Sequence, residues 1–399
     1  MTTPTPTAPA DRRIADLMAQ EAARQQRVIN LIASENLPSR AVMDACGHVL
    51  QTKYAEGYPG KRYYGGCEIA DQIENRVSEL ACEVFGTEFA NVQPHSGTQA
   101  NQGVYQALLQ PGGKILSMDL AQGGHLSHGS KVNFSFRDYR IAHYGLGADE
   151  TIDHAALEKI ADEFRPDLII AGSSTYAPTI EWERFRAVAD KVGAKLMCDI
   201  AHIAGLIAGG SYPNPAKLAD VMTFTTQKTL RGPRGGVIVG KAEYQKDIDR
   251  AVFPGCQGGP NLAIIAAKGI MFEEALLPSF CEYAAQVVKN ARAMAAVVSE
   301  RFPIVSGRTD CHMFTVKLDA LTATGHEVQQ ALEAQDIIVI KQLTPHDARS
   351  PMKTSGIRIG TPTITTQGYD EAKCRALAER IVTIIDSAEA AAKAKQAAR

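Results

Sequence analysis

One pattern constrains this chain more than any other: an alternation that begins near residue 70. Short apolar runs (FANVQ, KILSM, DLIIAG, KLMCDI, DVMTFTT and GGVIVG) are separated by segments of helical period. Those segments include ADQIENRVSELACEVFG, TQANQGVYQALLQ, HAALEKIADEF and EWERFRAVADKVG. Apolar runs with so little polar alternation are strands covered on both faces. Strands alternating with helices of this length predict a mainly parallel sheet between two helical layers.

The pattern changes after residue 260. A long helical stretch is broken at Pro278, the strands HMFTVKL and IIVIKQL follow, and a helix starts near 369. This predicts a smaller α+β domain. Residues 14–29 carry a helical period and predict an N-terminal arm. The expected division is an arm over 1–35, a large α/β domain over 36–285 and a small C-terminal domain over 286–399. The opening MTTPTPTAPA has little to bury and is expected to be disordered. The closing AEAAAKAKQAAR is helix-prone and polar, an end expected to fray.

Composition excludes several functions. With 399 residues, 45% of them hydrophobic, the chain can bury a large core. Its 42 Lys and Arg against 44 Asp and Glu give no basic balance for nucleic acid. No apolar stretch is long enough to enter a membrane. Eight cysteines are scattered without a C-x-x-C pair, the usage of reduced thiols in a cytoplasmic protein.

Three constellations carry chemistry. In HSGTQAN at 95–101 a strand gives way to a helix through Ser96, Gly97 and Thr98. Hydroxyls and free N–H groups at the positive end of a helix suit a phosphate, although a plain N-cap reads the same. In KLMCDIAHIAGL, Asp199 stands near the end of a strand, where ligands of open α/β sheets sit. A carboxylate there needs a cationic partner, and the pyridine nitrogen of pyridoxal phosphate is one. In TFTTQKTLRGPRGG, Lys228 follows a strand end, where desolvation lowers a lysine's pKa and makes it a Schiff-base nucleophile.

Two further segments supply a substrate. GIRIGTP carries Arg358, whose fork can grip a carboxylate. YAEGYPGKRYYGG carries Glu56 among tyrosines, a candidate acid/base whose pKa burial would raise. His125 of GGHLSHG can stack on an aromatic cofactor, His128 reads as structural, and His202 lies near enough to Asp199 to reach a cofactor ring.

These residues together resemble serine hydroxymethyltransferase. The resemblance runs from LIASEN at 31 to GIRIGTPTITTQG at 368, and its motifs are jointly very specific. It implies the aspartate-aminotransferase-like fold, pyridoxal-phosphate fold type I, with a seven-stranded, mainly parallel sheet. It implies pyridoxal 5'-phosphate as cofactor, tetrahydrofolate as co-substrate, and a homodimer or tetramer with shared active sites. By the same resemblance Lys228 holds the cofactor, Asp199 pairs with its ring nitrogen and His125 stacks on the ring. Ser96, Gly97, Thr98 and Thr225 surround the cofactor, Ser174 and His202 flank its phenolic oxygen, and Gly258 and Gly259 reach in from the partner. Arg358 and Ser34 bind the substrate carboxylate. Glu56, Tyr54 and Tyr64 serve the hydroxyl and folate end, and Leu120, Leu126 and Gln342 meet the folate.

The chain departs from the family pattern at several points. Gln227 stands where His usually precedes the cofactor lysine, and Gln122 replaces another His. Gln342 stands where an Asn is usual, Arg308 and Cys311 are unusual, and APTIEW follows Tyr176. These changes admit two other enzymes: an α-methylserine hydroxymethyltransferase acting with D-alanine, or a folate-independent aldolase of β-hydroxy amino acids. A non-enzymatic scaffold is a third possibility, against which the intact Lys228 and Asp199 argue.

Overall fold

A computed structural model describes residues 12–398. The expected alternation forms one seven-stranded sheet. Its strands are β1 (Phe89–Asn91), β2 (Lys114–Met118), β3 (Arg140–Tyr144), β4 (Leu168–Ala171), β5 (Lys195–Asp199), β6 (Val221–Thr225) and β7 (Gly236–Gly240). The order across the sheet is β1-β7-β6-β5-β4-β2-β3. Only β7 runs antiparallel to its neighbours, β1 and β6. The remaining pairs are parallel.

The central strands are apolar because both faces are covered. Ile169, Leu196, Cys198, Met222 and Phe224 belong to one core, whereas Leu168, Ile170, Met197 and Val221 belong to the core on the opposite face. This is the period-two division that a pleated strand imposes. β3 is the strand that the apolar pattern did not reveal. It is one of the two sheet edges, and its sequence RIAHY is only partly buried. An edge strand covered on fewer sides can afford Arg140 and His143.

The helices α1 (Arg13–Arg27), α2 (Glu68–Phe85), α3 (Gly97–Leu108), α4 (His154–Phe164) and α5 (Trp182–Val192) match the periodic segments, and α1 has no buried residue. The break at Pro278 separates α6 (Leu262–Ala275) from α7 (Pro278–Ser299), with Pro278 opening α7. Proline is suited to a first helical position because its missing N–H would have no partner there.

A second core lies under a three-stranded sheet of order β8-β10-β9, made by β8 (Met313–Lys317), β9 (Ile340–Gln342) and β10 (Gly356–Gly360). α7 joins the two cores. Phe280, Val287 and Val288 pack in the large one, and Met294 and Val298 in the small one. The boundary expected at residue 285 therefore falls inside a continuous helix. The arm crosses to the small sheet's side: Ile29 and Asn30 pair with Ile337 and Ile338, and Leu31 is buried in the small core. The last helix, α8 (Glu371–Ala397), keeps its helical form into the polar end. The opening segment expected to be disordered lies outside the described residues.

Candidate active site

The C-terminal ends of the parallel strands converge on one cavity of about 410 Å³. Ser96, Gly97 and Thr98 follow β1, Ser173 and Ser174 follow β4, and Asp199 ends β5. Thr225 ends β6, and Gln227 and Lys228 stand just beyond it. His125, His202, Arg358 and Ser34 complete the wall. Ser34 reaches it because Gly360 has no side chain: a Cβ there would stand 2.4 Å from Ala33 Cα.

Asp199 is the best-anchored group. Its Oδ2 accepts from His128 Nε2 at 2.8 Å and from Asn101 Nδ2 at 3.0 Å, and its Oδ1 accepts from the Ala201 amide at 3.0 Å. Burial disfavours its charge, but the hydrogen bond and charge of His128, with help from His125 and Asn101, outweigh this. The carboxyl stays well below the usual range. A carboxylate offers four acceptor positions, so one is left for a ligand.

Asn101 also donates to Ser127 Oγ at 2.9 Å and accepts from Thr223 Oγ1 at 2.7 Å. Ser127 Oγ lies 2.7 Å from His125 Nδ1, which also accepts from the Ser127 amide. The backbone donor assigns the lone pair to Nδ1 and the proton of His125 to Nε2. Burial, with some repulsion from His128, lowers His125 to about 4, so its ring is neutral.

Lys228 sits in the turn after β6, its carbonyl held by Asn36 Nδ2 at 3.0 Å. Burial lowers its ammonium to about 8; Asp199 works against the drop, and Arg358 and Arg234 add to it. The Arg358 side chain donates from Nη1 to the Ser174 carbonyl at 2.6 Å, while its Nε is buried without a partner among the described residues. Burial lowers this guanidinium to about 10, still charged at neutral pH. His202 Nδ1 lies 3.3 Å from His312 Nε2, with the rings stacked. Burial lowers both imidazoles, His312 to about 3.

Ser96 caps α3, its side chain accepting from the Gln99 amide. Gly97 and Thr98 line the cavity at the positive end of this helix. Gly97 is bare by necessity, since a Cβ would lie 2.6 Å from Thr225 Cγ2.

The other expected residues do not line this cavity. Glu56, half-buried, lies near Gly258: a Cβ on that glycine would be 3.6 Å from Glu56 Oε1. Tyr54 packs on Tyr64 with ring centroids 5.2 Å apart and lies against Gly259, and both tyrosines are exposed. Leu120 and Leu126 are exposed on turns beyond β2. Gln342 ends β9, its side-chain amide on the Leu343 carbonyl. Among the departures, Gln227 lines the cavity and accepts from the Gly235 amide at 3.4 Å, and Gln122 accepts from the Leu146 amide at 2.6 Å.

A model of the serine hydroxymethyltransferase family matches residues 8–381. The chain belongs to that family. It is 53% identical to the serine hydroxymethyltransferase of Acinetobacter baumannii (strain AYE), a match covering 94% of this chain and 91% of that one. It is 52% identical to the Nitrosomonas europaea enzyme, over 95% of this chain and 92% of that one. It is 50% identical to serine hydroxymethyltransferase 1 of Pseudomonas fluorescens (strain Pf0-1), over 98% and 95% of the two chains. The family depends on pyridoxal phosphate and uses tetrahydrofolate as co-substrate.

The residues present fit that cofactor. Unclaimed amides at a helix start suit its phosphate, the free acceptor of Asp199 suits a protonated ring nitrogen, and Lys228 can bond to its aldehyde. Arg358 Nε, buried without a partner, suits a substrate carboxylate. Sequence reasoning passed over Asn101 and read His128 as structural only, although both bond to Asp199 directly. The spacing of Asn101, one helical turn past Gly97, was the signal for the first.

Proposed function

We propose that the chain interconverts serine plus tetrahydrofolate with glycine plus 5,10-methylenetetrahydrofolate, through the residue roles that follow. The observation that carries this is the convergence of Lys228, Asp199 and Arg358 on one cavity. Lys228 holds the cofactor, and its lowered pKa leaves a useful fraction of free amine near neutral pH. Ser96, Gly97 and Thr98 bind the phosphate and Thr225 bounds it. His125 presents a neutral ring face to the cofactor, and Ser174 and His202 bound its phenolic edge. Asp199 keeps a proton on the ring nitrogen. When bound, pyridoxal phosphate supplies an electron sink for the charge left at the substrate Cα when a bond there breaks. Arg358 and Ser34 fix the substrate carboxylate, which sets the bond to be broken against that sink.

Glu56 takes the proton of the substrate hydroxyl. Since Glu56 and the Lys228 cavity are separate within one chain, the site is completed by a second copy. Its Glu56, Tyr54, Tyr64, Gly258 and Gly259 enter the cavity mouth, and the assembly is a homodimer or a tetramer of such dimers. Leu120, Leu126 and Gln342 receive the folate. Eight free cysteines support a cytoplasmic location.

The test is turnover of serine and of α-methylserine, each with and without tetrahydrofolate. Serine cleavage that requires the folate is the expected result. Turnover of α-methylserine alone would overturn the proposal.

A further inference from the structure

Glu56 precedes a tight hairpin in which Gly57 and Tyr58 pair with Arg62 and Lys61. Its tip is exposed, yet its root rests on buried charge. The Arg62 side chain is only 3% exposed, and each face of its fork is used. Nε donates to Asp71 Oδ1 at 2.8 Å and Nη2 to Glu74 Oε2 at 2.6 Å, both on α2. Nη1 donates to the carbonyls of Ala55 at 2.9 Å and Gly57 at 2.8 Å, the two residues flanking Glu56.

The carbonyl of Glu56 itself accepts from the Tyr63 amide at 2.9 Å. Three successive carbonyls, 55, 56 and 57, are thus fixed, two of them by one guanidinium. Gln93 adds a second donor to the Gly57 carbonyl at 3.0 Å and ties Glu74 Oε1 at 2.7 Å. Gly57 adopts φ +97° and is packed so closely that a Cβ would stand 2.4 Å from the Lys61 carbonyl oxygen. The backbone on both sides of Glu56 is thus held by buried groups outside the Lys228 cavity.

We propose that Arg62 is a positioning residue for Glu56: it fixes the backbone on both sides of the carboxylate that meets the substrate hydroxyl. This rests on the reading of Glu56 given above. The fork is essential to the argument. Lysine carries the same charge on a single point and cannot reach two carboxylates and two carbonyls at once.

The experiment compares Arg62→Lys, Glu56→Gln and the double variant, each loaded with cofactor. Two rates are read: hydroxymethyl transfer from serine to folate, and exchange of the glycine α-proton, which involves no hydroxyl. Glu56→Gln is expected to slow transfer by about 100-fold. Arg62→Lys should lower kcat for transfer by roughly 10-fold, with KM for serine and α-proton exchange within about 2-fold of the parent. In the Glu56→Gln background the Arg62→Lys change should cost less than about 2-fold, because its effect runs through Glu56.

A full 10-fold loss in both backgrounds, or equal loss of transfer and exchange, would overturn the inference and leave Glu56 as the acid/base. Transfer untouched by Glu56→Gln would overturn the reading of Glu56, and this inference with it. Should Arg62→Lys fail to fold, Gln93→Met removes the second donor on the Gly57 carbonyl and makes the same comparison.

Discussion

Two regions carry the chemistry proposed for this chain, and they are built differently. Around Lys228 the polar groups converge inward and bond to one another. Asp199 has three donors in place, Asn101 links it through Ser127 to His125, and Arg358 is buried. Around Glu56 the backbone is equally well held, but three tyrosines face out. Tyr54 is 56% exposed, Tyr63 76% and Tyr64 45%, with Gly258 and Gly259 beside this loop. Large exposed rings above a rigid, buried base support the contact with a second copy that we propose. One region is a pocket lined by converging polar groups; the other is a rigid loop that presents aromatic rings.

The largest effect should come from breaking the first region. Lys228→Ala is expected to abolish both hydroxymethyl transfer and glycine α-proton exchange, by roughly 10³-fold or more. Borohydride should fix the cofactor to the parent chain at Lys228 and leave the variant's mass unchanged. Glu56→Gln, by contrast, should spare the exchange. If it removes both activities, the two regions do not divide the work as proposed.

A mixing experiment tests whether the second region serves another copy. Lys228→Ala and Glu56→Gln chains are each defective alone. In a dimer with shared sites, a hybrid has one site with both groups intact, and random exchange makes half of the dimers hybrid. Denaturing the two variants together and refolding them should restore about a quarter of the parent transfer rate. Recovery of nothing would place Glu56 in the same site as Lys228 of its own chain, or in none.

Acid should act on the first region through Lys228. Its folded pKa of about 8 lies below the ordinary lysine value of 10.5, so the free amine is lost as pH falls through 8. Capture of pyridoxal phosphate by the cofactor-free protein should slow by about 5-fold between pH 8 and pH 7, followed by the rise of the visible absorption band. The charge of Asp199 raises this pKa, so Asp199→Asn should move the midpoint below 8. Glu56→Gln, belonging to the other region, should leave it in place. Stopped-flow absorbance across pH 6 to 9 separates the three.

The sequence disclosed these regions unequally. β4, β6 and β7 were legible because burial on both faces makes a strand apolar throughout, whereas the edge strand β3, RIAHY, carries no such mark. Lys228, Asp199 and Arg358 could be named from their motifs and places on strands. The network behind them could not, because its partners are distant in sequence. His128 lies 71 residues from Asp199 and Asn101 lies 98, and only the fold brings them within hydrogen-bond reach. Nor does a list of motif residues show that Glu56 and Lys228 occupy different places in one chain. That separation is a property of the folded backbone: the loop hangs on α2 and the Gln93 strand end, while the cavity opens beyond β5 and β6.

The smallest expected effect lies under the Glu56 loop and tests how its rigidity is maintained. Asp249 accepts from Asn91 Nδ2 at 2.8 Å, and its carbonyl accepts from Tyr58 OH at 2.7 Å, which fastens the far side of the hairpin. Burial raises its carboxyl from 3.8 to about 6; Asn91 opposes this and Glu74 adds to it. Between pH 4 and 6 the folded chain therefore holds a proton that the unfolded chain has released. Stability falls as pH rises through that window, and above it the cost of the buried charge is complete. Asp249→Asn keeps the shape and the acceptor for Asn91 while removing the charge. Its melting temperature should exceed the parent's by about 1–3 °C at pH 7.5 and converge on it near pH 4. A change of this kind that leaves hydroxymethyl transfer intact would show that the loop is held by its carbonyl contacts rather than by the Asp249 charge. A loss of transfer without loss of stability would instead add Asp249 to the groups that aim Glu56.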